Sequence, residues 1–168
     1  MKQQKIIILI LSIVIVSFFL NFIWEVSHSF LYDWNSLPLE NDVYFYILKI
    51  FIATFGDVMY TILIFFIISI FKKDISWIYS SKKSDYSFLI ILGLFFAIFV
   101  EIKAKLFNLW SYNQYMPQIL GIGLTPLIQP AATSALTIFI LNKFIFRAKT
   151  KGDRKWREIE SEESVYWY

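Results

Sequence analysis

Four apolar runs, each long enough to cross a bilayer, constrain this chain more than any other feature. About 20 consecutive apolar residues span the hydrocarbon of a membrane. Residues 6–28, 43–71, 87–108 and 119–146 each reach that length with few charges. The 168 residues are 58% hydrophobic and 17% charged, against roughly a quarter charged in a soluble domain. Because the apolar residues come in blocks rather than at helical spacing, the solvent they face is lipid. In lipid each spanning segment must satisfy its own backbone N–H and C=O groups, and a helix does so where a lone strand cannot. The expected fold is therefore all-α: an integral membrane four-helix bundle over residues 1–146, followed by a tail at 147–168. The first run exceeds the roughly 7–15 apolar residues of a cleavable signal peptide and is read as a retained span.

Charge alternates between the segment ends. Lys2 and Lys5 precede the first span, Lys72, Lys73, Lys82 and Lys83 separate the second from the third, and Arg147, Lys149 and Lys151 follow the fourth. The turn at 33–42 carries Asp33, Glu40 and Asp42 and no base. The positive-inside rule then predicts a multi-pass protein of the cell membrane with N- and C-termini cytoplasmic, Lys103 and Lys105 being the exceptions. The net charge of +3 thus reports topology and not nucleic-acid binding. No cysteine is present, which excludes thiol catalysis and disulfides. No phosphate-binding glycine loop, serine-nucleophile elbow or nucleic-acid motif occurs either. Between the lysine pairs, Ile75–Tyr79 is expected at the membrane interface. The tail is basic through Arg157, then acidic from Glu158 to Glu163. Its basic part suits anionic lipid headgroups as well as fixing topology.

With that orientation the polar residues of all four spans collect near the outer face. Asn21, Trp24, Glu25 and His28 fall at i, i+3, i+4 and i+7, on one helical face. The second span adds Lys49 and Asp57, and the third ends in Glu101, Lys105 and Asn108 before a loop holding Trp110 and Tyr112. Thr125 and Gln129 open the fourth, each directly before a proline, at 126 and 130. The inner halves, 6–17, 62–71, 88–96 and 135–142, are almost purely apolar. A lone acid or lysine near mid-span costs about 2.5–3.5 kcal/mol, so these groups are expected to face inward and find partners. The expected pairs are Glu101 with Lys105 at i, i+4, and Lys49 with Glu25 or Glu101. Asp57 is the acid most in need of a partner, and His28, Lys49, a tyrosine or protonation of Asp57 itself could meet that need. Pro126 and Pro130 should each remove a helical hydrogen bond, freeing the carbonyls of Ile122 and Pro126 and kinking the last helix. The predicted outcome is a polar pocket in the outer leaflet, closed from below.

The motifs Asn21-x-x-Trp24-Glu25, Gly56-Asp57, Glu101, Trp110-x-Tyr112-x-x-x-Met116-Pro117 and Gly121-Ile-Gly-Leu-Thr-Pro-Leu-x-Gln129 together resemble a group of small, uncharacterised four-span bacterial membrane proteins. The resemblance covers most of residues 21–130 and implies a shared site without naming a reaction. A second likeness, through Glu101 and the Trp-x-Tyr pattern, is to carotenoid-type membrane cyclases, although the acidic Pro-x-Glu-Glu pattern expected there is missing.

Function follows from the pocket. Glu25, Asp57 and Glu101 are the candidate catalytic acids, since carboxyls in a partly dry site can divide the roles of proton donor and acceptor. Asn21, Trp24, His28, Lys49, Lys105, Asn108, Trp110, Tyr112, Thr125 and Gln129 are the candidate ligand contacts. The expected ligand is amphipathic, lipid-like or isoprenoid-like, and no cofactor is implied. A proton- or cation-coupled transporter component centred on Asp57, and a structural subunit without ligand, are the alternatives. Self-association into an oligomer is compatible with each. Glu25-Val-Ser-His28 has the Glu-x-x-His spacing of di-iron bundles, but such a site wants two copies and this chain has one histidine. Glu25 with His28 therefore stands as a minor metal candidate.

Overall fold

The computed structural model describes residues 2–34 and 43–146; the basic-then-acidic tail and most of the acidic turn lie outside the described residues. Four long helices appear, α1 (Lys2–His28), α2 (Val43–Lys72), α3 (Lys83–Phe107) and α4 (Leu124–Ile140), and α4 continues as a π-helical turn, Leu141–Phe146. All four are long and apolar enough to cross a membrane. Ile7, Ile15, Phe19 and Ile23 on α1, and Ile52, Phe55, Met59 and Ile70 on α2, are more than half exposed. An apolar belt of that extent requires lipid to cover it, so the chain is a multi-pass membrane protein.

The two ends of the bundle differ. At the end where α2 finishes and α3 begins, Leu9, Ile13, Ile64, Phe65, Ile68, Leu89, Ile138 and Leu141 form a dry core. The expected interfacial segment does not stay outside this core. A 3-10 turn, Trp77–Ser80, folds inward so that Trp77 is 1% exposed. Its indole N–H donates to Ser69 Oγ at 3.0 Å, its ring stacks on Phe65 at 5.8 Å, and Asn142 Nδ2 donates to the Ile78 carbonyl at 2.7 Å. Burying a large ring becomes favourable once its one polar atom is satisfied, which is why the segment plugs the bundle. Lys72 closes the loop by pairing with Asp85 at 2.7 Å.

At the opposite end α4 starts later than expected. Residues 119–123 belong to a two-stranded hairpin, β1 (Gln118–Ile119) with β2 (Ile122–Gly123), and are not helical. Leu120 and Gly121 both have positive φ (54° and 75°), as a type I′ turn requires. Because α4 begins at Leu124, Pro126 lies in its first turn, where a missing N–H breaks no helical bond. The Ile122 carbonyl is therefore not freed by that proline, and Pro130 is the one proline set inside the helix.

Glycine sets the α3–α4 spacing. A Cβ on Gly93 would lie 2.4 Å from Ala131 Cα, so the two backbones can meet only because no side chain intervenes. Gly93→Val should force the helices apart and lower stability by about 1–3 kcal/mol. Gly56→Ala, whose Cβ would meet nothing within 4 Å, should be neutral or stabilising by up to about 1 kcal/mol. Thermal unfolding in detergent checks both.

Candidate functional site

The helical spacing of α1 places Asn21 and Glu25 on its inward face, one turn apart. Asn21 is fully buried and donates back to the Ser17 carbonyl at 2.9 Å, which orients its own oxygen toward α4. From α4, Gln129 Nε2 donates to Glu25 Oε1 at 2.8 Å and to Asp57 Oδ2 at 2.6 Å. A primary amide has two hydrogens, and these two short bonds use both. The Asn21 oxygen, 3.5 Å away, is a polar neighbour more than a bonded one. Three helices thus converge on one nitrogen. Hydrogen bonds to charged acceptors contribute about 1.5–3 kcal/mol each, more than neutral ones. Nearer the dry core, Ser134 Oγ reaches Thr61 Oγ1 at 3.3 Å, while Thr133 and Thr137 donate to carbonyls of their own helix.

Glu25, Asp57 and Gln129 line a cavity of about 420 Å³. Tyr32, Trp34, Tyr60 and Trp110 supply aromatic walls, and Lys49 and Lys103 line it as well. The cavity separates α2 from α3 beside Gly56. Closer to the dry core the same helices touch through Tyr60 with Phe96 and Phe71 with Phe88, at 5.6 and 5.5 Å between ring centres.

Glu101 does not join this pair. Its Oε1 accepts from the Tyr112 hydroxyl at 2.6 Å, and its Oε2 from the Gly123 backbone N–H at 3.2 Å. Trp110 Nε1 donates in turn to the Tyr112 oxygen at 2.8 Å. Gly123 is the N-cap of α4, so the carboxylate sits where the helix dipole favours negative charge. A Cβ there would come within 2.9 Å of both the Tyr112 ring and Pro126, so only glycine brings that N–H to the acid. Glu101 therefore anchors the hairpin and shares no hydrogen bond with Glu25 or Asp57, although the charges of all three acids reach the Tyr32 phenol. The Tyr112 ring also stacks on Tyr32 at 5.4 Å, and the loop is laced to the end of α1 by Asp33 N–H to Ser111 O and Asn113 N–H to Leu31 O.

Several further expectations change. Among the described residues the ion pair is Lys72 with Asp85, so neither Glu101–Lys105 nor Lys49 with Glu25 or Glu101 forms. Fixed neutral donors satisfy Glu101 without desolvating an ammonium. Lys105 is exposed beside Gly121 of the hairpin, away from the cavity. Lys49 sits 5.1 Å from the Phe45 ring centre. Asn108 adopts the left-handed conformation (φ 49°) and ends α3 as its cap, its N–H returning to the Ala104 carbonyl, and it lines neither cavity. Trp24, His28 and Thr125 line a different cavity, of about 350 Å³, walled by Leu20, Ile23 and Leu136. Thr125 donates to Met116 Sδ at 3.2 Å. The His28 ring is 3% exposed and neither of its nitrogens has a partner, nor does Trp24 Nε1. Glu25 and His28 thus serve separate cavities, and no group of three or more metal-ligating side chains occurs among the described residues.

Trp34, Tyr60 and Lys103 were missed as cavity residues. Tyr60 lies at i+3 from Asp57, so its facing was readable. Lys103 broke the charge pattern, which was its signal. Trp34 is placed only by tertiary contacts, its N–H on the Ser29 carbonyl at 2.7 Å and its ring on Tyr46 at 4.6 Å.

No family model, no curated protein and no solved structure matches this chain.

Burial, then the hydrogen bond to Glu101, pushes the Tyr112 phenol well above its ordinary ionisation range. Burial and then the Glu25 charge act likewise on Tyr32. A raised phenol keeps its contribution below the unfolded value of about 10 and loses it as pH climbs beyond that. Tyr112→Phe should cost about 1–3 kcal/mol at neutral pH by leaving a Glu101 oxygen unbonded. It should also flatten the alkaline decline in melting temperature, measured in detergent from about pH 7 to about pH 11.

Proposed function

We propose that this protein binds an amphipathic, lipid-like molecule in the cavity formed by Glu25, Asp57 and Gln129. The observation that carries the reading is the pair of acids, from different helices, meeting on one amide beside a cavity of about 420 Å³ inside a membrane protein. Placing two carboxyls so close in a low-dielectric site is costly. A contact serving helix register alone needs no charge, as Ser134 with Thr61 demonstrates one turn further along. Intramembrane acids that are not needed for packing mark a site. A cavity of this size, mostly apolar with a few convergent polar groups, suits a small amphiphile.

The positive-inside pattern places this end of the bundle in the outer leaflet of the cell membrane, with both termini cytoplasmic. The ligand would then come from that leaflet. Glu25 and Asp57 are also the groups placed to exchange a proton with whatever binds, so acid–base processing is the natural extension. Glu101, held by Tyr112 and Gly123, makes no hydrogen bond to either acid, and we assign it no role there. The packed cluster from Leu9 to Leu141 closes the opposite end of the bundle, which favours binding over passage, although Thr61, Thr133, Ser134 and Thr137 are buried between the two. The motif likeness to small bacterial membrane proteins runs through Glu25, Gly56, Asp57 and Gln129, and we extend the same proposal to that group.

Lipid retained by the gently solubilised protein should be enriched in one class relative to the bulk membrane. In Glu25→Gln with Asp57→Asn that enrichment should fall about tenfold, or ~1.4 kcal/mol. Lipid mass spectrometry at matched protein recovery reads this, and an unchanged profile would overturn the proposal.

A further inference from the structure

This inference rests on the lipid-binding reading and names the headgroup. The cavity carries two kinds of charge, with a third acid, Asp33, also in its lining; its inner acids and its lysines do not meet. Glu25 and Asp57 share Gln129 and have no cation within ion-pair distance, and Lys49 and Lys103 have no carboxylate partner among the described residues. They cannot simply neutralise one another along α2. Asp57 and Lys49 are eight residues apart, roughly 12 Å along the helix axis. Lys49 lies nearer the start of α2 and Lys103 nearer the end of α3, so both lysines sit toward the loop side of the acids. Tyr32, Tyr60, Trp34 and Trp110 line the same space.

Carboxyls flanked by aromatic faces complement an ammonium, which gains both the charge and the ring quadrupole. Lysines complement a phosphate as mobile point charges. Lys49 Nζ now lies over the Phe45 ring, one turn further out, so the lysines must swing toward the acids for a single ligand bearing both groups to answer both halves of the cavity. Gly56 determines the exit. A Cβ there would meet nothing within 4 Å, so the α2 wall is open at the level of Asp57 and faces the gap toward Val100 and Lys103 on α3. Chains leaving by that gap would enter the bilayer directly.

We propose that the cavity holds the headgroup of an aminophospholipid. Its primary ammonium lies against Glu25 and Asp57, its phosphate against Lys49 and Lys103, and its acyl chains pass between α2 and α3 beside Gly56.

The test titrates the full chain in mild detergent with three amphiphiles of equal chain length, read by native mass spectrometry. These are phosphatidylethanolamine, phosphatidylglycerol (phosphate without amine) and an alkylamine (amine without phosphate). Phosphatidylethanolamine should bind at least about tenfold more tightly than either of the others. Glu25→Gln with Asp57→Asn should abolish its advantage over phosphatidylglycerol, and Lys49→Ala with Lys103→Ala its advantage over the alkylamine. Gly56→Phe, with its Cβ in open space, should fold normally and block all three. Equal binding of phosphatidylethanolamine and phosphatidylglycerol, with Gly56→Phe still blocking both, would overturn the headgroup assignment and leave the cavity as the lipid site. Full binding in a folded Gly56→Phe protein would overturn the lipid-binding reading itself.

Discussion

One amide group holds three helices together against the tendency of lipid to exclude charge. Gln129 offers two hydrogens and meets an acid with each, so α1, α2 and α4 share a single point of attachment. In water such bonds would compete with solvent and contribute little. Within a bundle whose outer surface is aliphatic, the alternative for each carboxyl is no partner at all. Asn21, fully buried one turn away on α1, completes the polar surroundings. The remaining features of this end of the molecule are arranged around that nitrogen.

The loop before α4 solves a second problem, that of Glu101. An acid at the end of a membrane helix needs donors, and here they come from one aromatic hydroxyl and one backbone N–H at a helix start. Both depend on geometry made elsewhere in the chain. Gly123 must lack a Cβ to approach, and Tyr112 must be fixed by the stack with Tyr32 and the N–H of Trp110. The hairpin thereby becomes part of the wall, linking α3 to the first turn of α4 and to the end of α1.

The ends of the bundle divide the work. One is filled by Trp77, Phe65 and their aliphatic neighbours and sealed by Asn142 on the Ile78 carbonyl. The other is held open, because α2 and α3 touch only nearer the dry core and the side of α2 at Gly56 presents no side chain. A solid base and a divided top together leave a cavity at one end of the bundle.

The sequence by itself determined the number of spans, their helical nature, the apolar filling of one end and the clustering of polar residues at the other. These are consequences of length, composition and period, which act locally and need no knowledge of neighbours. It also indicated that Glu25, Asp57 and Gln129 would face inward toward partners, since an acid in lipid needs one, and they do meet. Only the tertiary structure decided which acid meets which donor. Glu101 turned to Tyr112 and Gly123 instead of Lys105, His28 lined another cavity from Glu25 although it lies one turn away on the same helix, and residues 119–123 became a hairpin instead of helix. Each outcome depended on backbone approach and on donors brought from distant positions. Such contacts are set by how rods pack, and periodicity along one rod carries no record of them.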